Sequence, residues 1–299
     1  MLIGEVMKRS VKIPLITIAA FSWTAHAQTI PPAPASGGHK SKNRTNDTVV
    51  VIGRRISERD EVQELVGRIT RDVTLDKPIA RYADPVCFAV AGLSTAQGVE
   101  VADRLAADAL EAGVRLAGRV CTPNIFVVFV DDDHKEINQL WRRRPQIFGS
   151  YSLSDIKSMM KKPGPAHAVL TKSIRSRDGN PIVEQTLNVR TDSKIDLPIR
   201  MDIDSSILII NRNALIGLTL RQVADYAAMT TLANIKYNGE NIKTSIISIF
   251  NKNKLGLPSE MTSFDRGYLK AIYSGVGNVR GPIKIDQIAR SISKSMDSK

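Results

Sequence analysis

Cysteine, histidine and aromatic residues are scarce in this chain: two Cys, four His and 5% Phe, Trp and Tyr among 299 residues. Two Cys exclude a disulfide-dense mini-scaffold and a Cys-rich zinc module. The shortage of aromatics leaves no stacking platform for single-stranded nucleic acid, and no nucleic-acid motif accompanies the positive charge. No run of 18 or more apolar residues occurs, which excludes an ordinary membrane-spanning helix. Also missing are a Gly-x-Ser-x-Gly elbow, a phosphate-binding Gly loop with Lys and any zinc-ligand Cys spacing. No cofactor is therefore expected, and no catalytic residue or metal ligand is assigned. What is present, 42% hydrophobic residues, suffices for a packed core and excludes a wholly disordered chain.

Residues 1–27 read as a secretory signal peptide. Lys8, Arg9 and Lys12 form its positive start, residues 13–23 its short apolar run, and Ala25-His26-Ala27 a small-x-small cleavage pattern before Gln28. The chain is thus expected in the periplasm or outside the cell. Losing this segment leaves 39 Lys+Arg against 29 Asp+Glu, a net charge of +10. Such a surface favours anionic partners, here an acidic envelope polymer or an envelope protein rather than nucleic acid. Cys87 and Cys121 then face an oxidising compartment and are expected to pair. Each lies before or within an apolar run, and adjacent parallel strands would bring them together. The rival reading is a catalytic thiol.

Residues 28–46, rich in Pro, Ala, Ser and Gly, read as a flexible linker. Residues 47–299 are taken as a single α+β domain, with residues 47–60 available as an extended docking segment. Residues 82–144 read as strand, helix, strand, helix. Ser94 and Gln97 have the capping-box spacing, Ala102, Leu105, Ala106 and Ala109 give a small-residue stripe, and Gly113 suits the end of that helix. The run 125–130 is apolar throughout, as in a strand covered on both faces. Asp131-Asp132-Asp133 raises a metal site, but Asp133 and Glu136 repeat the cap spacing, so capping by Asp133 is preferred. Arg142, Arg143 and Arg144 close the next helix and, with Lys157, Lys161 and Lys162, could form an anion-binding face. Residues 168–174 and 182–189 look like a hairpin around Asp178-Gly179. A further strand at 206–211 leads to a helix capped by Thr219, with Asp225, Tyr226 and Met229 off its apolar face. Two more helices are expected, one over residues 263–273 and a final amphipathic one after Pro282.

Two resemblances add to this. Val49, Val50, Val51, Gly53, Arg54 and Arg55 resemble the short segment after the signal peptide of TonB-dependent outer-membrane receptors, although Ile52 stands where Thr is usual. That resemblance implies docking on an energising partner by strand addition. The strand at 207–211 feeding the helix at 219–235 is similar to zincin-type metallopeptidases. So are Ser245-Ile246-Ile247, placed like a Met-turn, and Thr262-Ser263-Phe264-Asp265 with Tyr268 and Tyr273. The nearest likeness is to a group of secreted, zincin-like proteins of Gram-negative bacteria. It implies a mixed sheet with a central packed helix. A zincin needs two His one helical turn apart and a Glu between them, and the matching helix here reads Val223-Ala-Asp-Tyr-Ala-Ala-Met229.

The expectation is therefore a non-catalytic, zincin-like binding or interaction module of the envelope. Two alternatives stand beside it. One is an enzyme with a non-zinc site centred on Asp225 and Tyr226, which requires both to converge on a pocket. The other is an accessory partner of an energised transport system, recruited by residues 47–56.

Overall fold

The six apolar residues Ile125–Val130 are all buried, and a strand of that kind needs cover on both faces. The computed structural model of the protein describes residues 59–149, 151–161, 164–182, 193–236, 242, 244–251 and 256–297. Four strands are found there: β1 (Phe88–Ala91), β2 (Ile125–Val130), β3 (Ala166–Ser176) and β4 (Ile199–Asn211). They form one sheet in the order β1-β2-β4-β3. The first three in that order run parallel, and β3 is antiparallel to β4 at the edge. Seven helices among the described residues accompany it, making a mixed α+β architecture. They are α1 (Arg59–Ile69), α2 (Thr95–Glu111), α3 (Asp133–Arg143), α4 (Leu153–Lys161), α5 (Leu220–Leu232), α6 (Ser263–Tyr273) and α7 (Gly281–Asp297).

The alternation of a strand sorts the core into two layers. Phe126, Val128 and Val130 join Ile207 and Ile209 of β4 in packing against Ile137 and Leu140 of α3, Ile156 of α4, and Phe148 of the turn between those helices. Ile125, Val127 and Phe129 face the opposite way, into the larger core of α1, α2, α5, α6 and α7. Within that core α5 is enclosed on all sides: every residue from Val223 to Leu232 is buried. The sequence places Asp225, Tyr226 and Met229 off the apolar face, but from Val223 onward this helix has no wet face.

The local signals act as their chemistry dictates. Ser94–Gln97, Thr219–Gln222 and Thr262–Asp265 all close reciprocal capping boxes. Gly113, with φ of +84°, takes the left-handed conformation that ends α2. At α3 the cap is Asp132, whose carboxylate accepts the Lys135 N–H, one residue before the expected Asp133. Because β1 and β2 are neighbours, Cys87 and Cys121 form a disulfide with Cα atoms 6.2 Å apart.

Strand β3 pairs with β4 over its whole length. The turn around Asp178-Gly179 is present, with Pro181 bridging Arg175 and the Ser176 N–H donating to the Asn180 carbonyl; residues 183–190, which carry the rest of the expected second arm, lie outside the described residues. Two elements differ from the sequence reading. Strand β4 starts at Ile199 rather than 206, its first half disguised by Asp202 and Asp204. Helix α1, unread in the sequence, buries Val62, Leu65, Val66 and Ile69, a helical stripe packed on α7. The expected signal peptide, the linker, the segment carrying Val49, Val50, Val51, Gly53, Arg54 and Arg55, and Lys162 all lie outside the described residues. No described helix is long and apolar enough to cross a membrane.

Candidate functional site

Asp225 sits in the middle of α5 with no exposed surface. A buried carboxylate needs a partner, and Arg104 of α2 supplies a two-pronged one: its Nε is 2.6 Å and its Nη2 3.2 Å from the two Asp225 oxygens. The Met261 N–H also donates to Asp225. One turn along α2, Asp108 is equally buried, and neither of its oxygens has a hydrogen-bond donor. Burial, and then the charge of Asp225, raise its pKa to about 7. Arg104 Nη2 lies 3.4 Å from Asp108 Oδ1, an attraction that burial and the neighbouring carboxylate outweigh. Tyr226 points elsewhere, its ring meeting Phe250 edge-on at 4.7 Å between centroids. Asp225 and Tyr226 therefore enter different surroundings, both inside the core, and neither lines the groove described below. The convergence on a pocket that the enzyme alternative requires is not found at these two side chains.

A second buried carboxylate organises the chain after α5. Asp265 accepts from the Ile246 N–H at 2.9 Å, from the Thr262 N–H at 2.9 Å and hydroxyl at 2.8 Å, and from the Ser245 hydroxyl. Burial raises its pKa, and these four donors hold the shift back. The result is a fixed turn over Ile246–Ser248 against the start of α6.

The aspartate run after β2 is spent on structure. Asp131 pairs with Arg212, Asp132 caps α3, and buried Asp133 accepts from Asn211 Nδ2 at 3.0 Å and lies 3.0 Å from His167 Nε2. Burial lowers the His167 pKa and the Asp133 charge opposes this, so at pH 7 the ring is neutral and donates through Nε2. His134 bonds elsewhere, its Nδ1 2.8 Å from the Met160 carbonyl. Among the described residues no group of three or more His, Cys, Asp and Glu side chains is placed to hold a metal ion.

Arg142, Arg143 and Arg144 are exposed at the end of α3, and Lys157 and Lys161 are exposed on α4, which packs beside it. Among the described residues none of these five cations has a salt bridge to a carboxylate. The acidic residue of the same stretch, Asp155, accepts from the Ser152 N–H and hydroxyl at the start of α4. All five thus stand exposed on two neighbouring helices.

A groove of about 360 Å³ lies elsewhere, at the start of β4. Arg200, Met201 and Asp202 form its floor, Arg177 and Asp178 of the turn after β3 one wall, and Gly277 and Asn278 the other. Arg81 lies beside Asp202 and gives its guanidinium to the carbonyls of Ile272 at 3.0 Å and Gly275 at 2.9 Å. The sequence reading missed this site. Its one local signal is Ser274-Gly-Val-Gly-Asn278, a loop with little side chain to fill space. Compared with protein-family models, curated proteins and solved structures, the chain matches none.

Proposed function

We propose that this chain is an exported, non-catalytic binding module of the Gram-negative envelope, built on a zincin-like frame and directed at an anionic envelope polymer. The frame part of the reading draws support from element order: an antiparallel edge strand β3, then β4 leading to the enclosed α5, then the turn held by Asp265, then α6. The non-catalytic part draws support from α5, where Asp225 is consumed by Arg104 and Met261 and no His is present. The partner rests on one observation, the five exposed cations of α3 and α4 with no carboxylate paired to them.

Cations in that state keep their field. Exposed charges are screened over about 8 Å at physiological salt, so a single Lys contributes little, but several on one face add along a polyanion. Retention of the mature chain on a dextran sulfate matrix tests this. Lys157→Glu with Lys161→Glu lowers the salt needed for elution; an unchanged elution salt would contradict the assignment of this face.

A further inference from the structure

Two glycines border the groove's arginines. A Cβ at Gly179 would lie 2.7 Å from Arg200 Nη2, and one at Gly277 would lie 3.1 Å from Arg81 Nε and Nη2. Glycine at those two positions lets the chain lie close against both guanidinium groups as they stand. Charge is unevenly matched there. Asp202, nearly buried, serves both Arg200 at 2.9 Å and Arg175 at 3.4 Å. Arg81 has carbonyl partners at the end of α6, and Lys284, with its Nζ 2.8 Å from the Ser274 carbonyl, adds a cation on the far side of Arg81. Arg177 is largely exposed on the rim, 3.5 Å from Asp178. Asp196 also lines the groove, and among the described residues no cation pairs with it.

A preformed groove of this volume is the size of a small-molecule site. Its guanidinium groups retain donors: Arg200 uses only Nε and Nη2 on Asp202, which leaves Nη1 to bind an oxyanion. Asp196 offers the opposite charge. We propose that this groove binds a small zwitterion, with its carboxylate or phosphate on Arg177, Arg200 and Arg81 and its ammonium on Asp196. A bare anion gains the arginines but meets the Asp196 charge, and a bare cation meets the reverse. The groove thereby selects against both. None of its lining residues belongs to the basic face of α3 and α4, so the site stands apart from the polymer reading.

Calorimetric titration of the mature chain with phosphoethanolamine, inorganic phosphate and ethanolamine tests the proposal. Phosphoethanolamine is expected to bind about tenfold or more tighter than either fragment. Arg177→Gln and Asp196→Asn, both without a packing role, each weaken it by about tenfold at an unchanged melting temperature. Phosphate binding as tightly as phosphoethanolamine, or both variants binding like the parent, would overturn it. Vesicles of phosphatidylethanolamine separate the sources. Sedimentation with them that free phosphoethanolamine reverses marks a lipid headgroup, and binding of the free compound without sedimentation marks a soluble ligand; both support the site.

Discussion

At the scale of single residues, the buried carboxyl groups on α2 and α5 dominate, and their protonation sets the behaviour. Unfolded, Asp108 releases its proton near 3.8, whereas folded it keeps it to about 7. Between those values the unfolded chain binds fewer protons, so this residue's contribution is full below about pH 4 and is lost as pH rises toward 7. Asp108→Asn keeps the side-chain size and stays neutral at every pH, with no proton to lose. The variant should melt at least about 2 °C higher than the parent at pH 8 and show no gain at pH 4, read by thermal denaturation. Asp225→Ala is the opposite case, because it removes the two-pronged partner of Arg104 and leaves Asp108, at 3.4 Å, as its nearest carboxylate. It should cost about 1–3 kcal/mol in denaturant unfolding, as for losing a hydrogen-bonded charged partner. His167 adds an acid limb. Its folded pKa lies below the unfolded 6.5, so the unfolded state takes up the proton first and stability falls as pH drops below about 6.5. His167→Gln should flatten that limb.

At the scale of elements, what could be read from the sequence was local chemistry. The caps at Ser94, Thr219 and Thr262 need only neighbours three residues away, so their spacing predicts them. Thr219→Ala should cost about 1 kcal/mol in the same unfolding assay, since its hydroxyl accepts the Gln222 N–H that would otherwise be left to water. The β2 run was equally legible because all six residues are apolar. Pairing was not. Nothing near residues 168–174 says that their partner lies in β4, whose polar first half hides half of its length. The register that seats Ser173 opposite Asp202 is decided by covering Ile207 to Ile210. Asp132 rather than Asp133 caps α3 for a related reason: Asp133 is drawn inward by Asn211 and His167, which come from β4 and β3. The groove was out of reach on the same grounds, its arginines arriving from the approach to β1, the turn after β3 and the start of β4. The disulfide was within reach because both Cys flank strands that read as neighbours. Replacing both with Ser should lower stability by about 3–4 kcal/mol in the chain-entropy account, measured against the parent by chemical unfolding without reductant.

At the scale of the whole molecule, the chain divides its charges by purpose. Carboxylates such as Asp225, Asp265 and Asp133 are buried and committed to holding α2, α5, α6 and β3 in place. Arg142, Arg143, Arg144, Lys157 and Lys161 stay exposed on and at the end of α3 and α4. The proposed preference for an anionic polymer rests on them. Titration of the mature chain against lipopolysaccharide micelles at low and physiological salt, beside an Arg142→Glu, Arg143→Glu, Arg144→Glu variant, tests it most directly. The account predicts that the parent binds with affinity falling steeply as salt rises, and that the variant binds at least about tenfold more weakly with a shallower salt dependence. Equal binding by parent and variant at both salts, with the fold intact, would contradict it.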